Sequence, residues 1–389
     1  MNARFSRTTV FVFLAILFAF ALLFALLPAS DFSERENRSL RTRPAFSFSA
    51  LTGGAYAEEI NEYFADQFPL RNLLVSCKAS IELALGKGEN DGILLGRNGY
   101  LARRMLDVKR VDGATLEDCD AFDRAHLLAS AEGINRLSGH LDVPLTALLV
   151  GRNLDVCTSS FSYPASNSTG LGCIRSALSP QISYADTVSP LRARHEAGES
   201  VYYRTDHHWT TYGAYLAYTE LMRAMGMEDA VIPESRFKKQ TVSDSFYGTL
   251  WSAGGMSFVS PDRIEIWIGE DEGAYEIVAD GRELDGFYQL SYANKKDKYS
   301  IFLDGTHDVV TITKGSGEAR PRLMLIKDSF ANSLAPFLAR HFDLVLVNLS
   351  SKTDFTNASA LVEKYGADRV ALVYSYENVI TADRVARLK

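Results

Sequence analysis

The feature that most constrains this 389-residue chain is a run of twenty uncharged, mostly apolar residues at positions 8–27. Twenty helical residues extend about 30 Å, which matches the hydrocarbon core of a bilayer. Arg4 and Arg7 precede the run and favour a cytoplasmic N-terminus under the positive-inside rule. We therefore expect a membrane anchor within residues 1–30, a single-pass arrangement in the cell membrane, and an extracytoplasmic C-terminal domain.

A cleaved secretory signal is the alternative interpretation of the same run, because small residues follow it at positions 28–30. The apolar core of a signal usually has only 7–15 residues, which favours the uncleaved anchor. Both interpretations export the rest of the chain. No other stretch of the sequence approaches the 18 apolar residues that a further span would need.

The exported part is acidic. The whole chain has 41 basic and 48 acidic residues, and the first 27 residues contain only two of these charges, both basic. The remainder therefore has 39 basic and 48 acidic residues, a formal charge of −9. This balance argues against nucleic-acid binding and against gripping a strongly anionic polymer by charge.

Four cysteines, Cys77, Cys119, Cys157 and Cys173, suit an oxidising compartment and allow three pairings. Cys157 and Cys173 flank a stretch rich in Ser, Asn, Gly and Pro that is typical of an exposed loop, so we expect a disulfide between them. Such a bond would stabilise the fold by roughly 3 kcal/mol. The sequence has no C-x-x-C spacing of the kind that binds zinc.

The rest of the chain predicts an α/β protein. Residues 31–95 read as a juxtamembrane helical segment, with helices at 55–65 and 70–85, and a β-hairpin follows at 93–101. In the main domain, residues 96–389, apolar strands alternate with helices, which indicates a mostly parallel sheet covered by helices on both faces. The predicted strands lie at 145–150, 201–203, 323–326, 344–347 and 370–374, and the predicted helices at 120–141, 211–225, 330–340 and 358–365. Residues 240–318 interrupt this alternation and read as a β-rich insertion.

The densest group of reactive side chains is Asp206-His207-His208-Trp209, at a strand-to-helix junction. In an extended segment, residues two apart face the same side. We therefore expect Asp206 to hydrogen-bond His208 and to support its charge, with His207 pointing away. Trp209 would either line the site or belong to the core.

A second group surrounds Ser329, directly after an apolar strand and at the start of a helix. A serine at a helix start is usually a capping residue. The free N–H groups of a helix start also stabilise an oxyanion, and a strand–nucleophile–helix turn exposes a hydroxyl. In a chain that also offers Asp206 and His208, the combination predicts an Asp–His–Ser triad for acyl transfer.

Two other interpretations stay open for these groups. Asp206, His207 and His208 have the chemistry of metal ligands, but adjacent histidines normally point apart and no further cluster supplies the remaining ligands. Both motifs also have a purely structural interpretation. We predict no metal and no cofactor.

Residues 203–212 read YRTDHHWTTY and resemble the signature of the DHHW family of exported bacterial proteins. The resemblance extends to ENR, FADQFPLR, GILLGRNGYL, FYGTL and IKDSFANS at residues 36–38, 64–71, 92–101, 246–250 and 326–333. The DHHW family is similar to periplasmic alginate O-acetyltransferases. This implies an SGNH hydrolase-like fold in permuted order, with Asp206, His208 and Ser329 as the triad.

The resemblance also implies a function. We expect extracytoplasmic transfer of O-acetyl groups to sugar hydroxyls of a cell-surface or exopolysaccharide through an acyl-serine intermediate, with a membrane O-acyltransferase partner that supplies the acetyl groups. The backbone N–H of Ser329 or Phe330, or the Asn332 side chain, would bind the oxyanion. The alternatives are a carbohydrate O-acetyl esterase and a non-catalytic polysaccharide-binding scaffold of the cell envelope.

Overall fold

The computed structural model describes residues 3–36, 38–104, 124–161, 169–315, 319–349 and 357–389. Cys119 and the predicted helical residues 120–123 lie outside these ranges. The chain divides into two compact units. The first unit contains Met1–Asp91 and Ser252–Phe258, and the second contains Gly92–Trp251 and Val259–Lys389.

The described residues form thirteen α-helices. In chain order these are α1 (Ala3–Leu26), α2 (Phe48–Thr52), α3 (Ala55–Gln67), α4 (Arg71–Ala84), α5 (Arg124–His140), α6 (Asn153–Val156), α7 (Thr169–Ala177), α8 (Val188–Glu196), α9 (Thr211–Ala224), α10 (Thr249–Gly254), α11 (Phe330–Leu338), α12 (Ala358–Tyr365) and α13 (Tyr376–Thr381).

The same ranges contain fifteen strands. They are β1 (Phe32–Ser33), β2 (Arg38–Ser39), β3 (Glu89–Asn90), β4 (Ile93–Leu95), β5 (Leu101–Arg103), β6 (Leu145–Val150), β7 (Ser183–Tyr184), β8 (Lys238–Phe246), β9 (Asp262–Ile268), β10 (Tyr275–Ala279), β11 (Arg282–Leu284), β12 (Val309–Lys314), β13 (Arg322–Lys327), β14 (Asp343–Asn348) and β15 (Arg369–Ser375).

The first unit is mainly helical. Its helix α1 contains a segment, Arg7–Leu26, that is long and apolar enough to cross a membrane, which fits an anchor or a signal sequence. Helices α3 and α4 confirm the two helices predicted after it. They are separated at Phe68, which is extended because Pro69 disfavours helical conformation in the residue before it.

The second unit is built on an eight-stranded sheet in the order β11-β10-β12-β14-β13-β15-β6-β7. The five strands from β14 to β7 are parallel, and β12, β10 and β11 extend the sheet antiparallel at one edge. All six residues of β6 are buried, as expected for a parallel strand that is covered on both faces. The prediction of a mixed α/β fold with a mostly parallel central sheet is confirmed.

This sheet positions the second predicted motif. Strand β13 lies between β14 and β15, with parallel pairing on both sides. Ser329 follows β13 and directly precedes α11, at the carboxyl end of a central parallel strand. In open α/β sheets this end is where ligands bind. Helix α9, which follows the Asp206–Trp209 segment, packs against α11.

Two strand predictions differ from the structure. Residues 201–203 form only an isolated antiparallel bridge, between Tyr202 and Trp209, because the chain turns back on itself within seven residues. The strand-rich region predicted at 240–318 divides in two. Among the described strands, β8 and β9 pair only with each other, whereas β10, β11 and β12 join the central sheet.

The predicted Cys157–Cys173 disulfide is wrong for this structure, in which both residues have free thiols. Cys157 is fully buried just after α6, where its N–H closes the helix on the carbonyl oxygen of Asn153. Cys173 lies on α7, so part of the stretch that we expected to be an exposed loop is helical.

Candidate active site

Ser329 occupies the first position before α11, but its side chain does not cap that helix. The Oγ atom lies 2.7 Å from Nε2 of His208, a residue of the Asp206–Trp209 motif, 121 positions earlier in the chain. Ser329 is therefore not a capping residue, although capping is the usual role of a serine at a helix start. The hydroxyl is half-buried and faces an imidazole.

Asp206 holds the other side of the His208 ring. Its Oδ1 lies 2.6 Å from Nδ1 of His208 and also accepts the backbone N–H of the same residue at 3.0 Å. Because an ionised carboxylate only accepts hydrogen bonds, Nδ1 carries the ring proton and Nε2 has the lone pair that faces Ser329. The structure thus brings Asp206, His208 and Ser329 into one hydrogen-bonded chain.

The local geometry that joins Asp206 to His208 is a turn. The carboxylate accepts the N–H of the residue two positions later, which is the Asx-turn pattern that aspartate favours. The predicted pairing is present for this reason, and the prediction that His207 points away is wrong. The His207 ring packs against His208 with ring centroids 3.9 Å apart.

The second carboxylate oxygen of Asp206 is held by the residues 246–250. Oδ2 accepts the backbone N–H of Thr249 at 2.7 Å and its hydroxyl at 3.1 Å. Nδ1 of His207 lies 2.7 Å from the same Thr249 hydroxyl oxygen. Gly248 allows this approach, because a Cβ at this position would overlap the Cβ and the carboxylate of Asp206.

The electrostatics of the site favour an ionised Asp206 beside a neutral His207. Burial alone would raise the pKa of the Asp206 carboxyl, but the neighbouring imidazoles and the hydrogen bonds that it accepts outweigh this and hold that pKa well below its usual range. Burial lowers the pKa of His207 to about 3, and repulsion from His208 acts in the same direction. At neutral pH the carboxylate can therefore support a positive charge that forms on His208.

Aromatic side chains fix the plane of the His208 ring. Tyr299 stacks on it with centroids 3.7 Å apart and planes only 8° from parallel. Phe330 contacts it at 4.8 Å, and His207 covers part of the remaining surface. Only 6% of His208 is exposed, so its ring has little freedom to leave the hydrogen-bonded position.

Trp209 connects the two motifs from within the core. It is fully buried, packs edge-on against Phe330, and donates its Nε1–H to Ser333 Oγ at 2.8 Å. Ser333 lies on α11, and its hydroxyl also lies 3.0 Å from the hydroxyl of Tyr299. Trp209 is therefore a core residue that ties the Asp206–His208 turn to the helix that follows Ser329.

The structure places two of the predicted oxyanion donors in other roles. The N–H of Phe330 donates to Oδ1 of Asp328 at 3.1 Å. The Asn332 side chain is buried, accepts from Nζ of Lys327 at 2.7 Å and donates to the carbonyl oxygen of Gly305 at 2.7 Å. Both groups are thus occupied by bonds that brace the turn.

The backbone N–H of Ser329 remains as the predicted oxyanion donor. No acceptor for it occurs among the residues that the structure describes. It sits at the amino end of α11, where the helix dipole favours negative charge. Asp328, one residue earlier, fixes the turn by accepting from the N–H of Ser375 and from Nδ2 of Asn378.

Asp206, His207 and His208 also form the one group within the described ranges whose ligand atoms are close enough for a metal ion, within 4.8 Å of one another. Asp206 already accepts four hydrogen bonds there. A metal would have to replace the bonds that hold His208 toward Ser329. The carboxylate that a metal would need is therefore already occupied by the hydrogen bonds that connect Asp206 to His208 and Thr249.

Sequence reasoning assigned no role to three residues of this site: Thr249, Tyr299 and Lys327. Thr249 lies in FYGTL, a segment noted only for its resemblance and without a role. Tyr299 had no signal, since it comes from a region without clear periodicity. Lys327 precedes Ser329 by two positions and is 99% buried, with a pKa that burial lowers to about 8.

The fold and these contacts define a class of protein, an α/β protein with a serine, a histidine and an aspartate in hydrogen-bonded sequence at the carboxyl end of its parallel strands. The comparison with family models then gives a match over part of the chain. Residues 187–348 match the model described as DHHW protein, and the resemblance seen in YRTDHHWTTY is confirmed for that region.

Solved structures show the same fold at low sequence identity. A DHHW family protein from Eubacterium siraeum is 18% identical, with a TM-score of 0.56 over 75% of this chain and 97% of that chain. Bacillus cereus PatB1, in a structure with a sulfonyl adduct, is 17% identical, with a TM-score of 0.62 over 76% of this chain and 98% of that chain. No curated protein matches the chain.

Proposed function

We propose that this protein transfers O-acetyl groups to sugar hydroxyls of a cell-surface or exopolysaccharide, with Ser329 as nucleophile, His208 as general base and Asp206 as the group that orients His208. The observation that carries the proposal is the 2.7 Å approach of Ser329 Oγ to the imidazole whose other nitrogen is bound by Asp206. A structural serine has no need of this pairing. The acetyl group as substrate comes from the family resemblance.

In the first half-reaction, Nε2 of His208 takes the proton of Ser329 as Oγ attacks the carbonyl carbon of an acetyl donor. The negative charge on the carbonyl oxygen is stabilised by the N–H of Ser329 at the start of α11. The intermediate collapses, His208 returns the proton to the leaving group, and acetyl-Ser329 remains. Asp206 stays ionised throughout and stabilises the imidazolium.

In the second half-reaction, His208 removes the proton from a sugar hydroxyl, whose oxygen attacks the acetyl carbon. His208 then returns the proton to Oγ of Ser329 as the bond between Oγ and the acetyl carbon breaks. Water in place of the sugar would give the esterase that is the alternative function. Both reactions use the same residues and differ in which hydroxyl reaches the acyl-enzyme first.

For the domain organisation we propose an anchor at residues 1–30, a juxtamembrane segment at 31–95, and an SGNH-like domain at 96–389 in permuted order with the β-rich part at about 240–318. Support comes from the order Asp206, His208, Ser329 along the chain and from the position of Ser329 after a central parallel strand.

The anchor determines where the acetyl donor must come from. With α1 in the cell membrane and the site outside, cytoplasmic acetyl-coenzyme A cannot reach Ser329. We propose that a membrane O-acyltransferase passes acetyl groups to this domain, as the resemblance implies. The charge of −9 on the residues after position 27 indicates that the sugar polymer is recognised by contacts in a cleft rather than by bulk positive charge.

The proposal is tested by the turnover of a chromogenic acetyl ester with and without a soluble oligosaccharide acceptor. We expect acetylated sugar to form at the expense of acetate, and both products to fall by a factor of at least about 100 in Ser329→Ala, the loss typical of removing a general acid–base or nucleophilic group.

Two outcomes separate the alternatives. Acetate as the main product at saturating acceptor would support the esterase. Unchanged turnover in Ser329→Ala would contradict the enzyme assignment and favour the scaffold.

A further inference from the structure

Helix α4 of the first unit exposes an apolar stripe. Its members are Leu70, just before the helix, then Leu73, Leu74, Cys77 and Ile81, and Leu85 just after it. At 100° per residue these six positions fall within an arc of about 120°. The five aliphatic side chains of the stripe are between 42% and 82% exposed. No charged residue lies within the arc, since Arg71, Lys78 and Glu82 fall outside it.

The opposite face of α4 is the one that packs in the protein. Ser76 and Ala79 are buried on it, and Nη2 of Arg35 donates to Ser76 Oγ at 2.6 Å. An amphipathic helix normally turns its apolar face inward and its polar face to water. Here the inward face holds Ser76 and Ala79 with the partly buried Val75 and Leu83, whereas the five aliphatic residues of the stripe point outward and are exposed, so the stripe requires a partner.

Contacts within the first unit indicate what that partner is. Phe68, two residues before the stripe, stacks on Phe20 of α1 with ring centroids 5.2 Å apart. Phe64 lies 4.9 Å from Phe24 of α1. Both α1 residues belong to the apolar segment that ends at Leu26.

The positions of these contacts along α1 indicate how deep Phe64 and Phe68 lie in the membrane. Phe24 is two residues and Phe20 six residues before Leu26, or about 3 Å and 9 Å along a helix. If Leu26 marks the outer end of the span, Phe64 and Phe68 lie at the depth of the interface between head groups and acyl chains. Interfacial helices bury their apolar faces about 5–10 Å into this layer.

We infer that α4 lies on the outer leaflet of the cell membrane, with the stripe from Leu70 to Leu85 immersed in the interface between head groups and acyl chains. The inference goes beyond acetyl transfer and needs only the anchor part of the proposed function. The first unit would then contact the membrane through both α1 and α4. The chain immediately following Leu85 would then leave the bilayer surface.

A lipid surface fits better than a protein groove for two reasons. The stripe continues directly from residues that contact the membrane segment, and it contains no polar side chain to set the register of a protein complex. A membrane protein or a second copy of this chain would cover the same face, so the experiment must separate these occupants.

The test is nitroxide accessibility in the full-length protein, reconstituted alone into phosphatidylcholine vesicles. A label on the native Cys77, with Cys119→Ser and Cys173→Ser, reports the centre of the stripe. The matched control is a label at Lys78→Cys with Cys77→Ser, one residue along α4 and outside the arc. Flotation of the vesicles reports the anchor separately.

We expect collisions of the Cys77 label with apolar oxygen to exceed those with a water-soluble nickel complex severalfold, and the control label to show the reverse. Equal exposure of both labels to the nickel complex, in protein that floats with the vesicles, would overturn the inference. So would a Cys77 label shielded from both reagents or broadened by a second label, since either indicates a protein partner.

Discussion

At the scale of single residues, the site depends on one carboxylate that satisfies four donors. Asp206 accepts from the N–H and ring of His208 and from the N–H and hydroxyl of Thr249. These bonds set the tautomer of His208, and that tautomer presents a lone pair to Ser329. The sequence offers two adjacent histidines, but only His208 lies between the carboxylate and the hydroxyl.

Substitution of the two histidines distinguishes their roles. We expect His208→Gln to lower kcat/KM for an acetyl ester by about 10²- to 10⁴-fold, the contribution of a general base. His207→Gln should cost about tenfold or less, since it removes one hydrogen bond to Thr249 worth roughly 1 kcal/mol. The acid limb of the pH–rate profile should persist in His207→Gln, because that imidazole, with its pKa lowered to about 3, is already neutral above pH 5. Equal losses in both variants would contradict the assignment of His208.

Lys327 gives a stability prediction with a defined sign. Its pKa is lowered by burial to about 8 in the folded protein, against about 10.4 for a free lysine. Between these values the unfolded chain binds more protons, so the free energy of unfolding should rise with pH, by at most about 1.4 kcal/mol per pH unit. Urea unfolding between pH 7.5 and 9.5 measures this slope.

The control for that slope is Lys327→Met. The loss of the bond to Asn332 should lower the free energy of unfolding, and in the variant that free energy should no longer rise with pH through this group. An identical slope in the variant would show that Lys327 does not titrate in this range.

At the scale of elements, three separate segments meet to build the site. The turn before α9 carries Asp206 and His208, the turn between β13 and α11 carries Ser329, and the 246–250 segment supports the carboxylate. Trp209 and Ser333 join the first two segments through a buried hydrogen bond. The geometry therefore depends on how closely these backbones approach one another.

Gly248→Ala tests that close approach. The added methyl group would overlap Asp206, so the carboxylate or the 246–250 segment must move. A displacement of about 1 Å near reacting groups can lower the rate by about 100-fold, and overpacking costs about 1–3 kcal/mol of stability. We expect activity on an acetyl ester to fall far more than the fold is destabilised.

Gly139→Ala is the matched control, because Gly139 lies on α5 and its added methyl group meets nothing within 4 Å. That variant should keep full activity and gain up to about 1 kcal/mol in unfolding free energy. Retained activity in Gly248→Ala would show that the Asp206 carboxylate tolerates displacement.

The elements that sequence reasoning predicted well are those with a strong local pattern. Strands β6, β13, β14 and β15 are short apolar runs, and α12 was predicted with its observed bounds. The pair Asp206 and His208 followed from spacing, although a turn rather than a strand brings them together. The support from Thr249 and the stacking of Tyr299 depend on contacts between distant segments, which local periodicity does not encode. The orientation of His207 was missed for the same reason.

At the scale of the whole molecule, the proposed source of the acetyl group depends on whether the apolar helix α1 stays in the membrane. Under the proposed function, a serine anchored outside the cytoplasm would receive its acetyl group from a membrane-bound donor, whereas a secreted domain would lose that source. The same helix contacts Phe64 of α3 and Phe68 just after it. Cleavage after residue 30 would therefore remove a packed element.

Fractionation of cells that express the protein tests the anchor. We expect the full-length mass in the membrane fraction after carbonate extraction. Replacing Leu14 and Phe18 by Arg should abolish membrane retention, because a charged residue at the centre of a span costs about 2.5–3.5 kcal/mol or more. A shortened protein in the soluble exported fraction would show that the segment is a signal.

The central claim is that Ser329 forms a covalent acyl intermediate with the help of His208 and Asp206. The most direct measurement is intact-protein and peptide mass spectrometry after brief exposure of the full-length protein to an activated acetyl ester, with a sulfonyl fluoride as a second probe of the same hydroxyl. We predict a single adduct on Ser329, absent in Ser329→Ala and formed far more slowly in His208→Gln. An unmodified Ser329, or an adduct elsewhere that persists in Ser329→Ala, would contradict the account.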